Sequence, residues 1–443
     1  MAPQSNTASP FSGLVGATMA ALKLRDNGYN QVAVDDEGKV ALHRPSGEYM
    51  DREAGLQALE EEEGFLNKNQ RPIRKRQTPR CVCCGINCGL FFKIIGILVA
   101  LFFVVSAGKL IWWALTPSST GLEGAPVFSE SLGCLDASFL YNGGETTVSV
   151  PMGNRHEHAV DTHGSGVGTF LITEAPADVT EVQYKITIKT NDKALLDDVA
   201  MTYPAPLPDG TSDGVSRMFI ETPVFPKASS SCMRYDVVMY VPKALKKLHI
   251  GSHSTAHVQF DTHAHLDLDN LFVTLFTLDP RNLIQSSDNV RATDLTLEVY
   301  RGWILGDVSV ARVLRVATQR GDGVANVHVR PTAAVDPTDP EEIAFTTMTG
   351  AGRTDIFFEN DKAFPHRPIK ATHTSSRGAD IYLTYKDAEF DGNIQLDSTS
   401  FTVKGAKPYT LADAKGSYTH WVGDMNGKDE ITMKSKGWTG LYF

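Results

Sequence analysis

Between Gly89 and Leu115 the sequence reads GLFFKIIGILVALFFVVSAGKLIWWAL, and only Lys93 and Lys109 interrupt its apolar character. No other feature constrains the fold as much. A membrane-spanning helix needs about 20 mostly apolar residues, whereas a helix at the surface of a soluble core keeps a polar face. The two lysines stand near the ends of the run, where long side chains reach the headgroups. Trp112 and Trp113 fall where an aromatic belt belongs. The run therefore predicts one transmembrane helix over 90–115.

Basic residues set its orientation. RPIRKRQTPR, Arg71 to Arg80, carries five basic residues and no acid. Beyond Leu115 no Lys or Arg appears until Arg155. The positive-inside rule then places residues 1–89 in the cytosol and 116–443 outside the cell or in a lumen. The run starts too far from Met1, and is too long, for a cleaved signal peptide. This layout predicts a type II single-pass protein with a signal anchor, in the plasma membrane or a membrane of the secretory pathway. Membrane lipid is its first expected partner. Charge argues against nucleic acid as the main one, because the net is −10 and from residue 116 onward 29 Lys and Arg stand against 41 Asp and Glu.

The six cysteines divide at the same place. Cys134 and Cys232 are alone in the outer part, where an oxidising compartment favours a disulfide. Closing a loop of about 100 residues is worth about 4.7 kcal/mol in the chain-entropy model. Cys81, Cys83, Cys84 and Cys88 crowd the cytosolic edge of the span as CVCCGINC. Zinc prefers two separated pairs of ligands, so this tight cluster reads more naturally as S-acylation beside a basic stretch drawn to anionic lipid.

The remaining chain sorts by texture. Residues 1–89 form a cytosolic tail, polar, turn-rich and mostly disordered. Residues 116–125 read as a Ser/Gly/Pro linker. From 126 the pattern is all-β. Apolar and polar residues alternate in VQYKITIKT from Val182, RYDVVMYV from Arg234, DLTLEVY from Asp294 and DIYLTY from Asp380. A β-rich membrane-proximal region spans 126–242. Over 243–443 a repeat emerges: LRVATQRGDGVANVHV from Leu314, IAFTTMTGAGRTDIFF from Ile343, IKATHTSSRGADIYLTY from Ile369 and EITMKSKGWTGLYF from Glu430. Each is a short strand, a Thr/Ser/Gly turn and a second strand. Gly352, Gly378, Gly405 and Gly437 follow at intervals of 26, 27 and 32 residues. Units of this size bury their apolar faces only by stacking. PTAAVDPTDPEE, Pro331 to Glu342, reads as a loop extruded from the stack.

VPKALKKLHIGSHSTAHVQF from Val241, LTLEVYRGWILGDVSV from Leu295 and LRVATQRGDGVANVHV from Leu314 resemble the adhesin-type β-solenoid family. That family includes the outer parts of fungal single-pass membrane proteins. The resemblance covers 241–443 and rests on a rhythm of Leu/Ile/Val, Thr and Gly. It implies a right-handed, β-helix-like solenoid ectodomain at the cell surface or in the secretory system. It supplies no catalytic residues.

Two stretches invite a metal reading. FDTHAHLDLDN, from Phe260, offers His263 and His265 at i and i+2 with Asp261, Asp267 and Asp269 beside them. On a strand both histidines reach one cation. The residues between argue otherwise: Ala256, Val258, Phe260, Ala264, Leu266 and Leu268 take the inward parity, so His257, Gln259, Asp261, His263, His265, Asp267 and Asp269 form an outward polar face of one solenoid strand. A hydrolase barrel needs about 250 residues of βα repetition, which this strand-rich remainder lacks. RHEHAVDTHG, with His156, His158 and His163, has no helix to set its spacing and reads as a polar loop before a strand at Thr169. Asp307, Asp322, Asp391 and Asp397 are scattered. No nucleophile elbow or phosphate loop is present.

The chain is therefore expected to be non-enzymatic and without a cofactor or metal. It would be a membrane-anchored protein presenting a β-solenoid for adhesion, contact with wall polysaccharide or matrix, or scaffolding of surface proteins. The alternative is a subunit of a membrane complex with a receptor-like or sorting role. A polysaccharide-active or metal-dependent hydrolase is the lesser alternative.

Overall fold

The computed structural model describes residues 82–83, 86–115, 120–205, 216–226, 229–410 and 416–443; before 120 it describes side chains only for 96–109. The expected disordered tail lies outside the described residues, apart from its last few. The chain divides into two compact units, Met1–Phe102 and Phe103–Phe443.

Helix α1 runs over the 28 residues Cys88–Leu115, a rise of about 42 Å. Its apolar side chains do not favour one face: Ile97, Leu98, Leu101, Phe102, Phe103 and Val104 are all more than half exposed. Counting only residues whose side chains are described, no helix is long and apolar enough to cross a membrane; of α1 those are 96–109. Just before it, Val82–Cys83 pairs antiparallel with Ile86–Asn87.

From 139 onward regular structure is strand with short 3-10 turns. In chain order β1 is Phe139–Leu140, β2 Thr146–Val150, β3 Glu157–His163, β4 Val167–Glu174, β5 Val182–Thr190, β6 Ala200–Thr202, β7 Arg217–Glu221, β8 Met233–Val241, β9 Lys247–Ser252, β10 Ala256–Phe260, β11 Leu266–Leu275 and β12 Leu283–Ser286. They continue as β13 Val290–Val299, β14 Trp303–Thr318, β15 Val324–Pro331, β16 Ile343–Thr349, β17 Arg353–Glu359, β18 Ile369–Ser375, β19 Asp380–Asp387, β20 Gly392–Lys404, β21 Lys407–Pro408, β22 His420–Val422 and β23 Asp429–Tyr442. All belong to one hydrogen-bonded sheet. The described part beyond residue 120 is all-β.

Two parallel ladders organise that sheet. The first runs β7, β3, β9, β11, β13, the second half of β14, β16, β18, and then the first halves of β23 and β20. The second runs β8, β4, β10, β12, the first half of β14, β15, β17, β19, and then the second halves of β23 and β20. Between β9 and β19 the chain alternates from one ladder to the other. Each passage through both ladders is one rung.

Alternating sequence explains why the rungs stack. Leu248, Leu271, Leu295, Leu314, Phe345, Ala371 and Ile431 are register partners down the first ladder, and none is more than 3 % exposed. Ile284, Ile304, Ala325, Thr354, Ile381 and Thr439 form the matching inward column of the second. Each large apolar side chain sealed this way contributes about 1.5–3 kcal/mol. The glycine rhythm has a steric cause at Gly352. A Cβ there would lie 1.9 Å from the Gly323 carbonyl oxygen of the rung before, so any side chain would force the rungs apart.

Two expectations need adjustment. The expected division at 242 falls inside the ladders, since β3 pairs with β9 and β4 with β10 across it. Residues before 242 supply the first rungs and antiparallel strands β1, β2, β5 and β6 at that end. At the other end the repeats do not stack in chain order. β23, from Asp429, inserts between β18–β19 and β20. β22 and β21 then pair antiparallel beside β20. The loop expected after Pro331 lies between β15 and β16.

Candidate functional site

FDTHAHLDLDN is a corner rather than one strand. β10 ends at Phe260, β11 begins at Leu266, and both metal-like histidines lie in the turn between. The expected inward set holds: Ala256, Val258, Phe260, Ala264, Leu266 and Leu268 are each at most 4 % exposed. Asp261 shapes the turn, accepting from the His263 amide at 2.9 Å and the Thr173 hydroxyl at 3.1 Å. The His265 amide donates to Glu174 at 3.3 Å. His265 and Asp267 border a cleft of about 300 Å³ with Glu174, Lys243 and Lys246. Among the described residues no three His, Cys, Asp or Glu side chains are placed to hold a metal ion.

His257 departs from expectation. It sits on the outward parity, yet it is fully buried. The cover is the segment from Thr120 to Cys134, hereafter the strap. Residues 120–125, expected to be linker, belong to it; 116–119 lie outside the described residues. The strap crosses the rungs of the second ladder. The Ser129 amide donates to His257 Nδ1 at 3.0 Å, which leaves the proton on Nε2 to donate to the Arg281 carbonyl at 2.8 Å. Burial drives the His257 pKa down to about 4. Arg234, 1 % exposed, donates to the Ser129 and Gly133 carbonyls at 2.7 and 3.1 Å and to the Ser129 hydroxyl at 2.6 Å. Its charge is met by Asp236 at 2.8 Å. Arg281 donates to the Leu132 carbonyl at 3.2 Å, and Asn326 to that of Thr120 at 3.3 Å. Gly121 has φ 79°, and a Cβ there would lie 2.5 Å from Asp355 Oδ2, so only glycine fits the strap's entry. A disulfide from Cys134 to Cys232, Cα atoms 5.9 Å apart, fastens its far end.

Two clefts flank Arg281. One of about 370 Å³ lies between the strap at Gly124 and Pro126 and the rung at Trp303. The other, about 560 Å³, includes Ser165, Phe225, His253, Thr255, Thr277 and Asp279. Its polar groups are largely engaged with one another: Thr255 donates to Asp279 at 3.1 Å, Thr277 to Asn282 at 3.0 Å, and Asp279 holds Arg281 at 2.6 Å.

The second suspect stretch is strand, not loop. RHEHAVDTHG contributes β3, and His158 faces the interior, bonded to Ser216 Oγ at 2.6 Å and to the Tyr184 hydroxyl. His373 repeats the arrangement, with Thr347 Oγ1 at 2.8 Å and the Tyr385 hydroxyl at 2.9 Å. Burial lowers both pKa values to about 3, so both rings are neutral and closed to substrate. His366 is the opposite case. Asp429, 3.0 Å from its Nε2, holds its pKa above the ordinary value despite partial burial. The scattered acids do not converge. Asp307 meets Arg330 at 3.2 Å, together with Asp288 and Glu359, while Asp322 meets Arg301 at 2.6 Å. Asp391 neighbours the β22 turn and Asp397 is exposed on β20. Of the cysteines proposed for acylation, Cys81 and Cys84 lie outside the described residues. Cys83 ends a two-residue strand and Cys88 opens α1.

Sequence parity could have placed His158 and His373 inside. Nothing local signalled the strap: its hydrogen-bond partners are more than 100 residues away, and the expected Cys134–Cys232 bond marked only its far end.

No family model matches the chain, and no curated protein sequence does. Solved structures do align. A candidate adhesin from Parabacteroides distasonis covers 69 % of this chain and 98 % of its own at 11 % identity, with a TM-score of 0.36. A candidate adhesin from Bacteroides fragilis covers 69 % and 98 % at 10 % identity and TM-score 0.28. A candidate lipid binding protein from Parabacteroides distasonis covers 68 % and 98 % at 13 % identity and TM-score 0.24.

Proposed function

We propose that the chain is a single-pass, membrane-anchored β-solenoid that works by presenting a rigid surface rather than by turnover. The observation that carries this reading is the pair of in-register parallel ladders. They repeat one cross-section rung after rung, with apolar side chains inward and columns of mixed character outward. Such a stack displays an extended, regular face to a partner. The titratable groups with strongly depressed pKa values, His158, His257 and His373, are sealed and hydrogen-bonded, which favours a non-enzymatic, cofactor-free role.

The anchor rests on α1 and its surroundings. Twenty-eight residues with two lysines suffice to span a bilayer. The basic run before it and the Cys134–Cys232 disulfide after it agree on sidedness: cytosol before, oxidising compartment after. Acylation at Cys81, Cys83, Cys84 and Cys88 would add inner-leaflet attachment. The outer partner is proposed to be wall or matrix polysaccharide, or a surface protein.

Protease treatment of sealed membrane vesicles whose cytosolic face is outward tests sidedness: the β unit should survive and the 1–89 tail should be cut. Incubating the purified full-length protein with fungal and plant polysaccharides tests the mode of action. Retention without new reducing ends is expected; release of reducing ends would overturn the non-enzymatic reading.

A further inference from the structure

Strap and rungs are held by different bonds. Each rung pairs its backbone with neighbours on both sides, residue after residue. Among the described residues, the main-chain hydrogen bonds of the strap are local: Ala125 to Leu122, Glu130 to Phe128, Ser131 to Val127 and Gly133 to Glu130. Among the described residues, its hydrogen bonds to the rest of the β unit run through side chains, chiefly Asn326 at its start, then His257, Arg281 and Arg234. Apart from Gly121 and Leu132 the strap is exposed or half-exposed, with Leu122 at 44 % and Val127 at 60 %. These few contacts are spaced along the segment, so a pull on Thr120 loads them in turn, whereas rupture of a rung needs many backbone bonds to fail together.

We propose that the strap is a peelable tether with a covalent stop. Tension entering at Thr120 detaches it from the second ladder contact by contact, uncovering His257, and the Cys134–Cys232 bond ends the peeling before any rung opens. The inference rests on the anchored reading above for one point only, that tension reaches the β unit through residue 120. Between Thr120 and Cys134 the freed chain spans about 50 Å when extended. The ladders meanwhile stay closed, so a bound partner would remain held while the tether lengthens.

The test is force spectroscopy on the full-length protein in a lipid nanodisc, with the nanodisc immobilised and the C-terminus pulled. The expected trace shows a first, reversible lengthening of about 25 Å before any rung yields, which is the ~50 Å of freed chain less the ~24 Å that the strap already crosses between Asn326 on β15 and Cys232 beside β8. The Cys134→Ser, Cys232→Ser variant should lose the stop, giving a longer first step that runs into the chain beyond 134. If that variant folds poorly, reducing the disulfide in a tethered wild-type molecule gives the same comparison. Absence of an early step, or an early step unchanged by loss of the disulfide, would overturn the proposal. Wrong sidedness in the protease experiment would remove the anchored reading and leave this mechanical result standing.

Discussion

The second ladder closes its outward face in two ways. Down one column, His257, Leu283, Trp303, Val324 and Arg353 are register partners. At the His257 end a separate piece of chain covers the sheet, and His257 and Leu283 are buried. Past Arg353 the sheet covers itself. The Arg353 guanidinium lies 4.2 Å over the Tyr382 ring, and Tyr382 meets Trp438 at 4.7 Å. The backbone is the same in both places. The difference teaches that outward parity on such a ladder sets direction only, and that cover is supplied separately. Cover by a distant segment depends on bonds that reduction or acid can break; cover by neighbouring side chains does not.

The largest expected effect comes from acid. His158, His257 and His373 are held neutral when folded, with pKa values near 3, 4 and 3. In the unfolded chain each takes a proton near pH 6.5. Their contribution is therefore complete above about pH 6.5 and is lost as pH falls towards the folded values. With three protons involved, the slope approaches about 4 kcal/mol per pH unit. His366 has the opposite sign, its contribution being complete below its ordinary pKa and lost as pH rises through the raised folded value. Chemical denaturation between pH 7 and 4.5 measures this. A flat profile would mean that His257 is not sealed by the strap and that the interior histidines are hydrated.

Next in size is Arg234→Ala. It removes a buried cation bonded to two strap carbonyls, with an expected cost of about 3–5 kcal/mol. Hydrogen exchange should rise around the strap and β10 while β17 to β19 stay protected; uniform exchange would erase the distinction between the two regions. Cys134→Ser should cost about 2–4 kcal/mol, again with the loss confined to the strapped rungs.

A smaller effect is expected at the far end. Phe401 continues the inward column after Thr439 but is 52 % exposed, because β20 is the last rung of the second ladder. Phe401→Ala should therefore cost under about 1.5 kcal/mol, well below the 3–5 kcal/mol of a sealed Phe. A cost in the upper range would show that this end is covered. Smallest of all is the double change His263→Ala, His265→Ala, expected to fall within about 0.5 kcal/mol, with no metal lost by elemental measurement.

Much of the β unit was legible. Alternation in FDTHAHLDLDN placed Phe260, Ala264, Leu266 and Leu268 inward, as found, because successive side chains of extended chain point to opposite sides whatever they pack against. The corner at 261–265 was missed because alternation persists through the turn. RHEHAVDTHG was misread as a loop because three histidines masked the inward parity of His158. The repeat from Glu430 was recognised as a strand pair, but its neighbours were not. Pairing of β23 between β18–β19 and β20 depends on how the chain returns after β22, which the strand's own residues do not encode.

The sequence by itself determined what is local: an apolar run with helical continuity, strands of period two, their inward faces, and two cysteines isolated in the chain beyond that run. Tertiary structure alone decided which outward residues lose water and which strands touch. The reason is physical. The direction of a side chain follows from its own backbone, whereas its cover comes from whatever segment folds across it. For His257 that segment is Ser129, 128 residues earlier, and only the folded ladder brings the two together.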